Sequence, residues 1–411
     1  MISTSSVPTA PILRNLNAVL ADIYCRYIAL KKEDCALHYG VFTEVFLKLH
    51  DTMKKVDSYY GRYSSAVKFA GSHFDGLRIN KPDEYDMDIV IRVPVSINHN
   101  SWTPGASDIT IEPKHPGFVQ LRAGVQYQRI PFRDGEDCVI NRTAYEWLDA
   151  KNYILRSKFT NWFKSVVTKA LNQLPRYCGL PSMCVNGTVH TIRTTESGPA
   201  FTLVIEGPRG FRLDVDLVPA LKFPESRWPV EGYRSIPPGC SVDYWMVVPK
   251  PNKNGHDCYD ESRSWRIALH EQERKLMHNS YNMHLTIKLL KKLRDSRGMN
   301  KIASYYIKTL FLWEIVELND PSFWKRNDLA TLLKHMLNKF HIALIEGKIS
   351  YFWNRRCNLI GHLSRQLLDK YSDIVGSLLR ALDDRQGHVT AAKYLLSDVE
   401  YASYHRFLST N

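Results

Sequence analysis

The chain has 411 residues, of which 44% are hydrophobic and 24% are charged, so it is a globular protein longer than one ordinary hydrophobic core. No apolar run approaches the roughly 20 residues of a membrane helix. The N-terminus MISTSSVPTAPILRN lacks the basic start and apolar centre of a signal peptide. We therefore expect a cytoplasmic or nuclear protein without a membrane segment.

The net charge is +13, from 55 Lys and Arg residues against 42 Asp and Glu residues, and it favours a polyanionic partner. A general contribution to solubility would give the same excess. The eight cysteines form no CxxC pair and no zinc-finger spacing with histidine. We therefore expect reduced thiols and no structural zinc.

Two helices are predicted between Ile12 and Tyr60, because apolar residues recur there at helical spacing. We expect both apolar stripes to bury against a sheet. The stripes are Leu16, Val19, Leu20 and Ile23 in the first helix, and Phe42, Val45, Phe46, Leu49 and Met53 in the second. Their exposed sides carry basic residues that suit a nucleic-acid surface, although simple solvated faces would look alike. These residues are Lys31, Lys32, Lys54, Lys55 and Arg62.

The stretch GSHFDGLRINKPDEYDMDIVIR, Gly71 to Arg92, joins a glycine turn to an acidic strand. Gly71 and Ser72 offer a tight turn and a hydroxyl group. If HFDGL continues as a short helix, its unpaired N–H groups would face a polyphosphate.

The strand that follows places Glu84, Asp86 and Asp88 on one face, since strand side chains alternate with period two. Three like charges on one face repel one another unless cations lie between them. Magnesium or manganese ions suit oxygen ligands, and two such ions support phosphoryl transfer. The alternative is an ordinary acidic surface strand.

A third carboxylate is expected from a neighbouring strand, because two acids hold two divalent ions poorly. Residues 201–218 are typical of a β-hairpin, and FRLDVDLVPA places Asp214 and Asp216 on one face. Alternation alone leaves open which aspartate is the ligand.

The middle of the chain divides the protein into two predicted lobes. Residues 141–174 are predicted to be helical, with Trp147, Phe159 and Phe163 as core anchors. Residues 223–263 hold many prolines and glycines, which is typical of a crossing between lobes. We therefore predict a core at 1–240 and a helical lobe at 241–411.

From Ser264 onward the pattern is almost wholly helical, beginning with SWRIALHEQERKLM. In the helix MHLTIKLLKKLRDS, three lysines share one face that meets anions or water, opposite three apolar residues. The lysines are Lys288, Lys291 and Lys292, and the apolar residues are Ile287, Leu290 and Leu293.

The blocks GSHFDGLRINKPDEYDMD, FRLDVDLVPAL, SWRIALHEQERKLM, IKLLKKL and SYYIKTLFLWE occur in this order. Together they resemble the cyclic GMP-AMP synthase-like receptors of animals, over Leu16 to Leu363. The resemblance implies an α/β (α+β) two-lobed nucleotidyltransferase fold, with a mixed sheet, an N-terminal spine helix and a helical C-terminal lobe.

By the same resemblance, Glu84, Asp86 and Asp216 are the catalytic metal ligands for two Mg²⁺ or Mn²⁺ ions, while Asp88 and Asp214 lie outside the ligand set. The matching nucleotide contacts are Gly71 and Ser72 at the triphosphate, Lys291 and Ser304 at the phosphates, Tyr305 stacked on a base, and Arg266 and Glu273.

The resemblance implies synthesis of a cyclic dinucleotide such as cyclic GMP-AMP from ATP and GTP, in innate immune signalling and antiviral defence. The vertebrate DNA sensor of the family carries a zinc-binding insertion at a position where this chain has only the short segment HNSYNMHLT. Double-stranded RNA is therefore the expected activator. A dimer on nucleic acid is consistent with this expectation. Ala268 stands where the family often has a polar residue, which leaves base choice open. A linear, template-independent nucleotidyltransferase and a catalytically silent binding protein are the alternatives.

Overall fold

The computed structural model describes residues 15–97, 108–133, 135, 137–197, 200–228, 232–251, 258–278, 280–384 and 388–410. They belong to two compact units. The helical unit comprises the chain up to Lys31, Gly76–Lys81 and the chain from Leu276 onward, and the sheet unit comprises Lys32–Asp75 and Pro82–Lys275. Within the described residues, no helix is long and apolar enough to cross a membrane.

The helices of the described residues follow one another along the whole chain. They are α1 (Leu16–Tyr27), α2 (Lys32–Val56), α3 (Ser58–Tyr63), α4 (Gly71–Phe74), α5 (Val125–Gln128), α6 (Cys138–Glu146), α7 (Arg156–Leu171), α8 (Cys258–Arg263), α9 (His270–Leu276), α10 (Tyr281–Ser296), α11 (Ser304–Leu318), α12 (Phe323–Arg326), α13 (Leu329–Glu346), α14 (Arg365–Asp383), α15 (His388–Leu395) and α16 (Asp398–Thr410).

Among the described residues, the strands are concentrated in the sheet unit, and the last two lie in the helical unit. They are β1 (Ser64–Ala70), β2 (Glu84–Ile91), β3 (Ile109–His115), β4 (Phe118–Ala123), β5 (Arg176–Tyr177), β6 (Leu180–Val185), β7 (Thr188–Ser197), β8 (Ala200–Glu206), β9 (Arg212–Pro224), β10 (Tyr244–Val248), β11 (Ser264–Ala268), β12 (Ser350–Tyr351) and β13 (Asn354–Asn358).

The sheet of the sheet unit is mixed, as predicted. Its path runs β3-β4-β11-β10-β9-β8-β7-β6-β5, and β2 pairs with both β1 and β9. The β2–β9 pair is parallel, whereas β8–β9 and β9–β10 are antiparallel. The predicted hairpin at 201–218 is confirmed, because β8 and β9 pair from Glu206↔Arg212 to Phe201↔Leu217.

The back of β2 forms part of the buried core. Tyr85, Met87 and Ile89 are fully buried, in agreement with the predicted alternation. Phe42 of α2 stacks on Tyr85, with 4.7 Å between the ring centroids. This packing holds the acidic residues of β2 on the opposite face of the strand.

The two N-terminal stripes are buried as predicted, but they pack in different units. The α2 stripe covers α7 and the sheet, with Phe42, Val45 and Leu49 buried. The α1 stripe packs on α13 and α15 in the helical unit, so the prediction that it covers a sheet is wrong. The stripe fixes which side of a helix is buried, and it carries no information about the partner.

The helix predicted at 141–174 is interrupted between α6 and α7. The Asp149 carboxylate accepts hydrogen bonds from the N–H groups of Lys151 at 2.8 Å and Tyr153 at 2.9 Å, which favours a turn over a continuing helix. The predicted core anchors Trp147, Phe159 and Phe163 are buried.

The segment SWRIALHEQERKLM begins as a strand, not as a helix. Ser264–Ala268 forms β11 between β4 and β10, and helix α9 begins only at His270. Pairing with strands on both sides overrides the helical pattern of this short segment. The division at residue 240 stays a prediction, while the contacts of residues 241–251 and 258–275 group them with the sheet unit.

Candidate active site

Five acidic side chains share one face of the β2–β9 pair. The parallel register places Glu84 beside Asp214 and Asp86 beside Asp216, and Asp88 follows on the same face of β2. Direct neighbours in paired strands point to the same side of a sheet. The register therefore builds one continuous acidic surface from two segments that are distant in sequence.

Three of these acids converge. Ligand atoms of Glu84, Asp86 and Asp216 lie within 4.8 Å of one another, and all three residues are half-buried. Oxygen ligands lie about 2.0–2.1 Å from Mg²⁺, so two ligands on opposite sides of the ion are about 4.2 Å apart. The carboxylate oxygens therefore suit a divalent cation in chemistry, and the 4.8 Å limit on their separation lies a little above this span.

The same three acids destabilise one another in the absence of a cation. Burial raises the pKa of Asp86 to about 7, and the charges of Glu84, Asp216 and Asp88 add to this effect. Burial also raises the pKa of Asp216, with contributions from Glu84 and Asp214. A bound cation would favour the ionised carboxylates and relieve this repulsion.

The two remaining acids are each engaged by a basic side chain. Arg212 makes a bidentate contact with Asp214, with Nε–Oδ1 at 3.0 Å and Nη2–Oδ2 at 3.1 Å. His270 of α9 is hydrogen-bonded to the buried Asp88, with Nε2–Oδ2 at 2.5 Å. Among the described residues, Asp216 and not Asp214 converges with Glu84 and Asp86, so Asp216 stays the predicted third ligand.

A threonine that the sequence reasoning missed positions the third carboxylate. Thr202 of β8 is directly opposite Asp216 in the antiparallel register, and its hydroxyl donates a hydrogen bond to Asp216 Oδ1. The Thr202 side chain is buried. The predicted hairpin brings these strands together, but only the observed register identifies Thr202 as the partner.

Gly71 lies directly against the acids. Its φ is +72°, and a Cβ built there would lie 1.6 Å from Asp86 Oδ2. A side chain at this position is excluded both by backbone conformation and by contact. Ser72 follows in α4 and is half-buried. The short helix predicted over HFDGL is instead α4, Gly71–Phe74, which ends before Asp75.

The further nucleotide contacts predicted in this unit lie on β11 and α9. Pairing of β9, β10 and β11 places Arg266 on the same sheet face as Asp216, and Arg266 is half-buried. Glu273 of α9 is buried, with 4% of its surface exposed. Ala268 also lies on this face, in an apolar cluster with Val90.

Helix α9 is attached to the strands and turn around the acids. Arg274 contacts Asp75 Oδ1 at 3.0 Å and donates to the Phe69 carbonyl at 2.8 Å. Lys68 of β1 pairs with Glu271 at 3.2 Å. Because Asp75 immediately follows α4, Arg274 holds the segment that carries Gly71. Sequence pattern alone gave no signal for these pairings.

The helical unit contains the remaining predicted contacts. Lys291 of α10 has only 4% of its surface exposed, and its Nζ donates to the Leu77 carbonyl at 2.7 Å. Burial lowers the pKa of Lys291 to about 8, assisted mainly by the charges of Arg294, Arg78 and Lys288. A buried ammonium among like charges is a favourable position for an anion.

Ser304 and Tyr305 begin α11 in the same unit. Arg294 donates a hydrogen bond to Ser304 Oγ, so the Ser304 hydroxyl keeps its own hydrogen to donate to another group. Tyr305 is half-buried, with 6.3 Å between its ring centroid and that of Tyr351. Part of the surface of Tyr305 is therefore exposed, and its predicted stacking on a base stays a prediction.

The predicted lysine face of α10 is covered at Lys292, which meets an anionic side chain and not solvent. Lys292 has 4% of its surface exposed and pairs with Glu400 of α16 at 2.6 Å. Lys288 lies over the Tyr24 ring, with 5.5 Å from Nζ to the centroid. Helices α16 and α1 therefore cover the lysine face of α10. Helical periodicity identifies this face only as polar.

The structure therefore forms two groups of predicted residues, each within its own unit. The sheet unit holds Gly71, Ser72, Glu84, Asp86, Asp216, Arg266 and Glu273, and the helical unit holds Lys291, Ser304 and Tyr305. The acids suit cations, and the basic group suits phosphates.

Comparison with known families agrees with this division. The family model for the Mab-21 protein nucleotidyltransferase domain matches residues 73–279, and the one for the Mab-21 protein HhH/H2TH-like domain matches residues 282–377. The first match covers the acid-bearing strands and α9, and the second covers α10 to most of α14. The predicted α/β two-lobed nucleotidyltransferase fold is thereby confirmed.

The curated relatives are similar over nearly the whole chain. A cyclic GMP-AMP synthase-like receptor of Ctenocephalides felis is 31% identical over 96% of this chain and 90% of its own length. A protein of the same name from Tribolium castaneum is 32% identical over 94% of this chain and 93% of its own length. The chain belongs to the cyclic GMP-AMP synthase-like receptors, within the Mab-21 nucleotidyltransferase family.

Proposed function

We propose that this protein joins ATP and GTP by metal-dependent phosphoryl transfer into a cyclic dinucleotide such as cyclic GMP-AMP. The observation that carries the proposal is the convergence of Glu84, Asp86 and Asp216 within 4.8 Å. Gly71 admits a close backbone approach to this group, because a side chain there would overlap Asp86. The name of the similar insect receptors supports the cyclic product.

The three acids are the proposed ligands of two Mg²⁺ or Mn²⁺ ions. When bound, the ions lower the pKa of the acceptor hydroxyl and neutralise the departing pyrophosphate. Thr202 keeps Asp216 in place through its hydrogen bond. Arg212 and His270 keep Asp214 and Asp88 engaged elsewhere, so they define which carboxylates remain for the metal.

The polar residues beside the two groups are the proposed nucleotide contacts. The Ser72 hydroxyl and the backbone at Gly71 bind the triphosphate, and Lys291 and Ser304 bind phosphates in the helical unit. Tyr305 stacks on a base. Arg266, on the acidic face of the sheet, and Glu273 complete the proposed set.

Double-stranded RNA is the proposed activator, and two copies of the protein can share one duplex. The proposed setting is innate immune signalling in the cytoplasm. The net charge of +13 supports a polyanionic partner. Lys54 and Lys55 at the end of α2 are exposed, as is Arg62 of α3. Such a surface can contact A-form RNA through phosphates and ribose hydroxyls.

The product is tested by incubating the protein with labelled ATP and GTP and manganese, with and without double-stranded RNA. Phosphatase treatment before chromatography separates a cyclic product, which has no terminal phosphate, from linear products. A ladder of linear products would identify a template-independent transferase. Absence of any product under all conditions, with nucleotide binding retained, would identify a silent binding protein.

The activator is tested by reversing charge with Lys54→Glu and Lys55→Glu. RNA-stimulated synthesis should fall and depend steeply on salt, while basal manganese-dependent synthesis persists. Lys348→Glu with Lys370→Glu is the matched control, because these lysines are also exposed and lie in the helical unit. Equal stimulation by DNA of the same length would contradict RNA selectivity.

A further inference from the structure

The segment Gly76–Lys81 leaves the acidic site and joins the helical unit. It directly follows α4 and Asp75, yet its contacts group it with α1 and α10. The Leu77 carbonyl accepts from Lys291 Nζ at 2.7 Å, and the Asn80 N–H donates to the Ile28 carbonyl at 3.3 Å. The segment is thus anchored on both sides of Arg78.

Three cationic side chains act on the charge of Lys291. Arg294, Arg78 and Lys288 all oppose its charged form, and Asp295 is the one acidic group that favours it among its principal electrostatic neighbours in the described chain. Asp295 is itself paired with Arg294. A carbonyl oxygen is a neutral acceptor, so the Leu77 contact satisfies a hydrogen bond of Lys291 without neutralising its charge.

Arg78 comes from a different segment than the other two cationic neighbours of Lys291. Arg294 and Lys288 belong to α10, where Arg294 is engaged with Asp295 and Lys288 lies over Tyr24. Arg78 is half-buried, and its Nε donates to the carbonyl of residue 81 at 3.0 Å within its own segment. A guanidinium group has five N–H donors, and its planar geometry suits two phosphate oxygens at once.

We propose that Arg78 is a further phosphate-binding residue, which forms with Lys291 and Ser304 a polyphosphate subsite in the helical unit. This inference rests on the proposed function, because it takes the triphosphate of a nucleotide as the natural ligand. The chemistry predicts that the subsite binds polyphosphate without a metal, since its donors are cations and a hydroxyl group. It also predicts that phosphate replaces the Leu77 carbonyl at Lys291.

The test is isothermal titration of the full-length protein with inorganic tripolyphosphate in the presence of EDTA. The unaltered protein should bind, and Arg78→Gln should weaken binding by about tenfold. The loss of one charge-assisted hydrogen bond has an effect of about this size. Lys81→Gln is the matched control, because Lys81 is an exposed cation in the same segment, and its affinity should stay within about twofold.

A second measurement separates binding from structure. Arg78→Lys should recover part of the affinity, since it restores charge without the planar donor pair. The substitution Arg78→Gln removes a like charge near Lys291, so it should not destabilise the ligand-free protein. Its thermal unfolding temperature should therefore stay close to that of the unaltered protein. Unchanged tripolyphosphate affinity of folded Arg78→Gln, or equal losses in Lys81→Gln, would overturn the proposal.

The titration stays informative if the proposed enzymatic function fails. Tripolyphosphate binding in EDTA requires neither the acids of the sheet unit nor catalysis. Binding that depends on Arg78 in a protein without nucleotide transfer would support the subsite and contradict the proposed reaction. No binding to the unaltered protein would refute the subsite and leave the product assay to decide the reaction.

Discussion

The acidic group of the sheet unit and the basic group of the helical unit are electrostatic opposites. Burial and like charges raise the pKa of Asp86 to about 7, and the same two causes lower the pKa of Lys291 to about 8. Each group is therefore less favourable when charged than it would be in water. A cation would relieve the repulsion among the acids, and an anion would relieve the penalty on the charged lysine.

The two groups also differ in how they are built. Paired strands place Asp86 and Asp216 side by side, with a packed apolar layer behind them. Lys291 instead belongs to a single helix and reaches a carbonyl of a separate segment, Gly76–Lys81. We expect charge changes in the sheet unit to leave the framework intact, and changes at Lys291 to affect stability directly.

The largest effect is expected for Glu84→Gln combined with Asp86→Asn. Nucleotide transfer should fall by roughly a thousandfold or more, because ligand charge for the metal is lost. Thermal unfolding should occur at the same or a higher temperature, since repulsion on the acidic face is reduced. Asp214→Asn is the matched control and should keep most activity, because Asp214 pairs with Arg212.

Gly71→Ala should reduce transfer by about a hundredfold, because the added methyl group displaces the Asp86 carboxylate or shifts the turn. Gly187→Ala is a matched control for backbone strain. Gly187 also has a positive φ, at +75°, but a Cβ there meets nothing within 4 Å. Equal loss of activity in both variants would mean that close contact with Asp86 has no role.

Thr202→Val should weaken Mn²⁺ binding by roughly tenfold, because Asp216 loses the hydroxyl that orients it. Manganese affinity can be measured by electron paramagnetic resonance without any turnover. Thr202→Ser keeps the hydroxyl and should restore the affinity. If the serine variant binds as weakly as the valine variant, the hydroxyl group by itself does not account for the affinity.

Lys291→Met should stabilise the ligand-free protein by about 1 kcal/mol at pH 7, because a buried charge is removed. The pKa of Lys291 is about 8 in the folded protein, against 10.5 for an ordinary lysine side chain. Between these pH values the unfolded chain binds more protons, so the stability of the unaltered protein rises with pH and the advantage of Lys291→Met shrinks.

This difference is measured by urea unfolding of both proteins from pH 7 to pH 10. If the difference in unfolding free energy between the two proteins does not change with pH, burial does not destabilise the charged form of Lys291. Lys370→Met is the control, since this exposed lysine should give no such trend.

Local patterns in the sequence predicted the elements that carry the site. Period-two alternation identified the acidic face of β2 and β9, helical stripes identified the buried sides of α1 and α2, and the glycine turn preceded the acids as expected. These features depend on neighbours a few residues apart, where backbone geometry alone decides which side chains share a face. The resemblance of ordered blocks then identified the family.

Tertiary structure decided which side chains meet. Register between β2 and β9 pairs Asp86 with Asp216, and the partners Arg212, Thr202 and His270 separate the converging acids from the rest. Strand β11 and the burial of Lys292 were likewise decided by packing against distant elements. Strand alternation is the same for every even shift of register, and helical periodicity does not name a partner, so neither can specify contacts between residues far apart in sequence.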